Sequence, residues 1–408
     1  MANGPELIGE LPAVDLRVAA MAMGKRWPVV YRRSGEEAFL AIGPQQMPSR
    51  TEVERALTEH RELRAVGWVS FSSRREWNRS EWRDFSRNAF FVPSLLVLER
   101  DGRQNAIAFG EREERENLFG LLGQLRSLSP GEVNPEEGTL LMEEVDRERF
   151  RRNVAQVAGG DGVEKVVMAR RMEVCWERGF DVAGVLADLE RNFPQCTSYL
   201  IAPGAGEVFF VGATPERLVT VREGYVETMA LAGTAAPQTE DLCRLGRRKE
   251  QREHAFVVDY ILRQLEDHTQ WLDSGEEEVM KLRNVHHLKT PIAGRLKDGR
   301  GVLQVVEALH PTPAVCGVPR EEVEPLIAEM EGFDRGLYAG AMGWMDADGD
   351  GEFDVLLRCA LIDGSRATIF SGAGITAESD VDEETEETAQ KAEAMLQALD
   401  CGRRGGKK

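Results

Sequence analysis

The stretch from Asp354 to Lys391, DVLLRCALIDGSRATIFSGAGITAESDVDEETEETAQK, constrains the fold of this chain more than any other segment. It reads as a hairpin from Val355 to Ile362, a turn at Asp363-Gly364 and a return strand from Ala367 to Phe370. A glycine turn at Ser371-Gly372-Ala373-Gly374 follows, then an acidic run that opens a helix. Glu384, Glu387 and Lys391 fall at i, i+3 and i+7 and share one helical face. Two carboxylates on one face, beside a turn of bare backbone N–H groups, can hold a divalent cation and an anionic ligand together. The plain alternative is a solvated helix start, where acids are favoured anyway. These residues alone leave both open.

The pattern elsewhere fits the same kind of fold. Asp146 to Ala158 suits a helix, Glu164 to Val174 a strand and Asp181 to Asn192 a helix. Tyr199–Ala202 with Val208–Val211, and Leu218–Arg222 with Tyr225–Ala230, read as hairpins, and a helical pattern runs from about Thr239 to His268. Strands and helices mix without βαβ alternation, which predicts an α+β fold with largely antiparallel sheets. Residues 1–145 are less regular: Glu37 to Gly43 and Phe90 to Leu98 look like strands, and Glu111 to Leu128 like a helix. Arg74 to Arg87, rich in Trp and Arg, reads as a solvent-facing loop or surface helix. Pro130 to Gly138 is the candidate linker, and the tail 402–408 is expected to be disordered.

Composition narrows the function. A net charge of −19 argues against nucleic-acid binding, which needs a basic face. The start lacks a basic-then-apolar export pattern and no apolar run is long enough for a membrane span. The six cysteines are scattered without a CxxC and read as reduced thiols, so the expected compartment is the cytoplasm.

Several residues could carry chemistry. Glu250 and Glu253 form a second i, i+3 acid pair, and steps of four from Glu253 give Val257, Ile261 and Leu265, so the acids extend an apolar stripe. Buried carboxylates need a cation, either a metal or a local Arg such as Arg247, Arg248 or Arg252. Facing Glu384 and Glu387 across a pocket, they would make an oxygen-donor site suited to Mg²⁺. Lys165 opens the strand KVVMAR; desolvation there would make it a usable general base, whereas at a strand edge it would simply reach solvent. Glu216 follows a stiffening proline in ATPERL and could act as a general acid or be an ordinary turn acid. Asp346-Ala-Asp-Gly-Asp-Gly351 imitates an EF-hand start, but Leu357 occupies the position of the bidentate Glu, so it reads as a hairpin turn. His286, His287 and His310 lack metal-binding spacing, and HPTPAVCG is a proline-stiffened loop.

Taken in order, EKVVMARR (164–171), GATPERL (212–218), ALAGTA (230–235), KEQREH (249–254) and HLKTPIAG (287–294) form one series. LHPTPAVCG (309–317), FDRGLYAGAMGW (333–344), LLRCALI (356–362) and the GAGI…E…K segment complete it. The series resembles the chorismate-utilising enzymes, most closely their isochorismate synthase branch, over about residues 146–400. The resemblance implies a single αββα body, two large facing antiparallel sheets with helices outside, to which the variable residues 1–145 add strands. It implies that Lys165 activates water for attack at C2 of chorismate and that Glu216 protonates the departing C4 hydroxyl. It implies Glu253 and Glu387 as direct Mg²⁺ ligands, with Glu250 and Glu384 acting through water. Arg358 and Lys391 would clamp carboxylates, Gly372 and Gly374 would offer N–H groups, and Gly233, Thr234, His287 and Tyr338 would line the pocket.

Within the family, anthranilate synthases usually carry Gln where Lys165 stands, and aminodeoxychorismate synthases often carry a nucleophilic Lys where Ala232 stands. The HPTPA loop also differs from that of the aminating branch, so no glutaminase subunit is expected. Salicylate synthases, which go on to eliminate pyruvate, share Lys165 and Glu216, but their motif tends to read PLAGTR in place of ALAGTA. A chorismate-binding protein without catalysis would not need Lys165, Glu216, Glu253 and Glu387 together. The motifs do not distinguish a menaquinone from a siderophore route.

Overall fold

The computed structural model describes residues 6–11, 13–44, 46–72, 81–110, 112–125, 140–160, 163–235, 245–246, 248–283 and 285–403. The chain begins β1 (Glu6–Leu11), α1 (Leu16–Gly24), β2 (Val29–Ser34), β3 (Glu37–Ile42), α2 (Arg50–Glu59), β4 (Arg64–Val69), β5 (Asn88–Phe91), β6 (Leu95–Arg100), β7 (Arg103–Ala108) and α3 (Arg112–Leu125). It continues β8 (Leu141–Glu143), α4 (Arg147–Ala158), β9 (Lys165–Cys175), α5 (Val182–Asn192), β10 (Thr197–Ala202), β11 (Val208–Thr214), β12 (Arg217–Arg222), β13 (Tyr225–Ala235) and α6 (Arg248–Glu266). The last part is β14 (Thr269–Ser274), β15 (Glu278–Lys281), β16 (His286–Leu296), α7 (Val302–Leu309), β17 (Gly317–Val318), α8 (Arg320–Glu331), β18 (Ala341–Asp346), β19 (Gly351–Val355), β20 (Cys359–Asp363), β21 (Arg366–Ile375) and α9 (Val381–Cys401).

Two sheets of antiparallel ladders result. The larger runs β1-β7-β6-β3-β2-β10-β11-β20-β21-β9-β17 with β8 beside β9; the smaller runs β14-β16-β13-β12-β19-β18-β4-β5 with β15 beside β16. β2 shows how they stack. Val30 packs into the core shared with Trp68 and Val219 of the smaller sheet, whereas Val29 and Tyr31 pack outward with Leu186 and Leu189 of α5. Alternate residues of a strand point to opposite faces, so a strand covered on both faces reads as a continuous apolar run. α1, α5 and α9 cover the outer face of the larger sheet, and α6 and α7 pack on the smaller, which gives the αββα layering. On α6, Val257, Ile261 and Leu265 are all buried, each contributing about 1.5–3 kcal/mol by removal from water.

Strands β2, β3, β6 and β7, from the first part of the chain, sit in the larger sheet, and β4 and β5 in the smaller. The Asp346–Asp350 segment is a hairpin turn between β18 and β19, with the Asp346 carboxylate accepting from the N–H groups of Asp348 and Asp350. The linker 130–138 and the tail residues 404–408 lie outside the described residues.

Three sequence expectations change. Ser371–Gly374 is no turn: β21 runs on to Ile375, because the long strand β9 continues the ladder with Ala169 opposite Gly372 and Val167 opposite Gly374. Val355 to Ile362 is not one strand either. Val355 ends β19 in the smaller sheet and Cys359 begins β20 in the larger, so the chain changes sheets at Leu356–Arg358. Arg358 makes the corner with a φ of 51°, a region L-residues seldom adopt. Finally, Trp82 does not face solvent. It is buried against Phe210 and Phe370, with its indole N–H donating to Asp334 O at 3.1 Å.

Candidate active site

Residues of both sheets enclose a cavity whose wall includes Glu216, Gly233, Thr234, Glu253, His287, Tyr338, Arg358, Gly372, Gly374 and Lys391. Ten of the residues singled out in the sequence thus meet on one surface, although they come from both sheets and from α6 and α9.

Lys165, the first residue of β9, is fully buried. Its Nζ stands 3.0 Å from Glu253 Oε1, an ion-pair distance, yet the ammonium makes no hydrogen bond. The solvent-reaching alternative for this lysine is excluded. Glu216 sits in the corner between β11 and β12, pinned by Val355 N–H donating to its carbonyl at 3.0 Å and by its own N–H donating to Thr214 Oγ1 at 3.2 Å. Burial pushes its carboxyl up to about 7, against the pull of Lys165, Lys391 and Arg358. A proton is therefore available on a carboxyl near neutral pH, the condition for a general acid.

That shift has a measurable consequence. The folded value lies above the ordinary 4.5, so between about pH 4.5 and 7 the folded state binds more protons than the unfolded chain. The stability this group contributes is full below 4.5 and is lost as pH rises through 7. Glu216→Gln copies the neutral acid and removes the loss. Relative to wild type it should gain about 2–3 kcal/mol between pH 4.5 and 8. Urea unfolding at both pH values checks this; a wild-type-to-variant difference that does not move with pH contradicts it.

His287, near the start of β16, is buried between two partners. Burial first, then the charges of Arg358 and Lys391, hold it down to about 3, so the ring is neutral. Nδ1–H donates to Gly233 O at 3.1 Å, and Nε2 accepts from an Arg358 guanidinium N–H at 3.1 Å. The ring thereby aims Arg358 into the cavity. A β13 bulge allows this: Gly233, at φ 77°, is skipped in the pairing with β16, and Thr234 stands opposite His287. Tyr338 stacks on Phe370 at 5.4 Å and lies against Gly372, where a Cβ would come within 2.8 Å of its hydroxyl. At Gly374 a Cβ would lie 2.2 Å from Glu253 Oε1 and 2.9 Å from Lys165 Cε. Gly374→Ala should therefore displace Glu253 from the cavity wall and cost about tenfold or more in turnover, the scale for misplacing a site group by about an ångström; steady-state rates against wild type decide it. Unaltered rates would show that the pair has room to spare.

The acids occupy two levels. Glu253 reaches the cavity wall, whereas Glu250, Glu384 and Glu387 are buried outside the set of residues that form the wall. α9 is started by Asp380, whose side chain accepts from the N–H groups of Asp382 and Glu383, and this register turns Glu384 and Glu387 inward. Glu387 accepts from Lys391 at 2.7 Å, and Lys391 also donates to Gly372 O at 3.0 Å. Burial pushes Glu387 up, but Lys391 and Lys249 outweigh it and hold the group ionised. Glu384 moves the other way, raised by burial and by Glu387, although Lys249 donates to its Oε1. Lys249 escaped the sequence reading, yet its signal was present: it precedes Glu253 by four residues and so shares its helical face.

Among the described residues no three His, Cys, Asp or Glu side chains form a ready metal cage. The donors nonetheless fit a cation that keeps waters and takes substrate oxygens. Glu253, Glu384 and Glu387 are paired with Lys165, Lys249 and Lys391, Glu250 is buried on α6 one turn before Glu253, Glu384 Oε2 has no hydrogen-bond partner, and bare backbone at Gly374 leaves Glu253 Oε1 its space.

The chain matches the family described as chorismate binding enzyme over residues 28–400. It belongs to that family. A salicylate biosynthesis isochorismate synthase of Pseudomonas aeruginosa is 33% identical over 338 residues, 78% of this chain and 70% of that protein. The isochorismate synthase MenF of Bacillus subtilis is 32% identical over 342 residues, 80% of this chain and 72% of the relative. Among solved structures, the menaquinone-specific isochorismate synthase MenF from Escherichia coli superposes with a TM-score of 0.81 at 27% identity, covering 97% of this chain and 95% of that one. Anthranilate synthase component I from Streptococcus pneumoniae shares the fold at a TM-score of 0.66 and 21% identity. The chorismate-binding fold expected from the motifs is therefore the fold of this chain. Among the described residues no helix is long and apolar enough to cross a membrane.

Proposed function

We propose that this chorismate-binding enzyme is an isomerase, an isochorismate synthase that interconverts chorismate and isochorismate by adding water at C2 as the C4 hydroxyl leaves. The observation that carries the reading is the couple of Lys165 and Glu216: Lys165 is buried behind the cavity wall, 3.0 Å from the wall residue Glu253 and without a hydrogen bond, and Glu216 stands on the wall with its carboxyl raised to about 7. In this reading the amine form of Lys165 takes a proton from the attacking water, becoming the ammonium, and the protonated Glu216 gives one to the departing hydroxyl, so hydroxide is never released. Arg358, aimed by His287, and Lys391 receive the substrate's two carboxylates. Glu253 and Glu387 would hold Mg²⁺, with Glu250 and Glu384 behind them. Bound there, the ion would neutralise charge on the ring carboxylate. The names of the relatives support the same reaction. No redox step occurs and no ammonia is needed.

Chromatography of chorismate incubated with enzyme, with and without Mg²⁺, tests the reading. A new Mg²⁺-dependent isochorismate peak is expected. Bound but unchanged chorismate would reduce the protein to a binder, and unaffected rates after removal of Mg²⁺ would remove the ion from the scheme.

A further inference from the structure

Lys249 is the charged residue at this site that the reaction does not use. α6 sets it on the Glu253 face, nine-tenths buried. Its ammonium donates to Glu384 Oε1, and Glu253 and Glu387 are the other carboxylates that act on it. Carboxylates buried at this density need a nearby positive charge to remain ionised and in place. Lys249 supplies it from within the chain, at the position where three of the four proposed metal-associated acids meet. The pairing is incomplete, since Glu384 Oε2 has no hydrogen-bond partner.

We infer that Lys249 is a tethered cation that holds the acid cluster together before the metal arrives and competes with the metal for it, so that it sets the Mg²⁺ concentration at which the site fills. The inference rests on the Mg²⁺ reading of the four acids. Lys249 is a positioning residue that lies outside the set of residues forming the cavity wall.

Removing the charge should strengthen metal binding. In Lys249→Met the cluster keeps its negative charge without its partner, so Mg²⁺ should bind about tenfold more tightly. The metal-free variant should melt below wild type, and its Tm should rise further on adding Mg²⁺. Lys249→Arg keeps the charge and should bind Mg²⁺ as wild type does. Lys249→Met/Glu384→Gln removes one charge of each sign and should return the affinity close to the wild-type value. The double variant also carries the test if the single variant does not fold. Calorimetric titration of Mg²⁺ into each protein without chorismate, with Tm followed across the same concentrations, reads these outcomes. Unchanged or weaker binding in Lys249→Met overturns the inference, as does a double variant that loses Mg²⁺ affinity. With wild-type protein that binds Mg²⁺, those outcomes leave the metal reading standing; wild-type protein that binds no Mg²⁺ overturns the metal reading with the inference.

Discussion

Lys165→Gln is expected to lose about 10²–10⁴-fold in kcat while chorismate still binds, because a general base contributes in the transition state and little in the ground state. The lysine is buried at the mouth of β9, 3.0 Å from Glu253, and glutamine can fill the same volume without accepting a proton from water. Stopped assays for turnover and equilibrium titration of chorismate separate the two effects. Near-normal isochorismate formation would remove Lys165 from the role of base. Loss of binding alone would make it a substrate anchor.

Glu387→Gln should cost metal and substrate together. Glu387 is kept ionised by Lys391 and Lys249, and the same Lys391 reaches Gly372 O on the cavity wall. Neutralising the acid removes a proposed direct ligand and leaves Lys391 with one partner fewer. Affinity for Mg²⁺ should fall by at least about 10–100-fold, the scale for disturbing a metal site, and the KM for chorismate should rise with it. Glu253→Gln should behave alike. Parallel Mg²⁺ titrations of the two variants check this, and curves that overlay wild type would show that these acids serve only as structural charge.

How the fold was legible depends on range. Local signals located α4, α5, β10 to β13 and the β20–β21 hairpin, because turn residues and apolar spacing act within a few residues of each other. The extension of β21 through Ser371–Ile375 was not legible, since glycine-rich sequence says turn until a distant strand, β9, is present to pair with it. Trp82 was misread for the same reason: its burial is made by Phe210 and Phe370, far away in sequence. The site was legible where spacing on one helix sufficed, as for Glu250 with Glu253 and Glu384 with Glu387. The nine ordered motifs supplied the remainder, including Arg358 and His287. What they did not convey is the geometry: that His287 is neutral and aims Arg358, that Arg358 turns the corner between the sheets, and that only Glu253 of the four acids reaches the cavity wall.

The direct test of the central claim is the approach to equilibrium from both sides. Purified enzyme with Mg²⁺ is given chorismate in one vessel and isochorismate in another at neutral pH, with lactate dehydrogenase and NADH present to report pyruvate. Water addition at C2 with loss of the C4 hydroxyl exchanges isomers of similar energy and leaves the enolpyruvyl bond intact. Both vessels should therefore reach one ratio of the two compounds with no enzyme-dependent pyruvate. Stoichiometric pyruvate with salicylate fluorescence, or chorismate that is bound but never consumed, would contradict it.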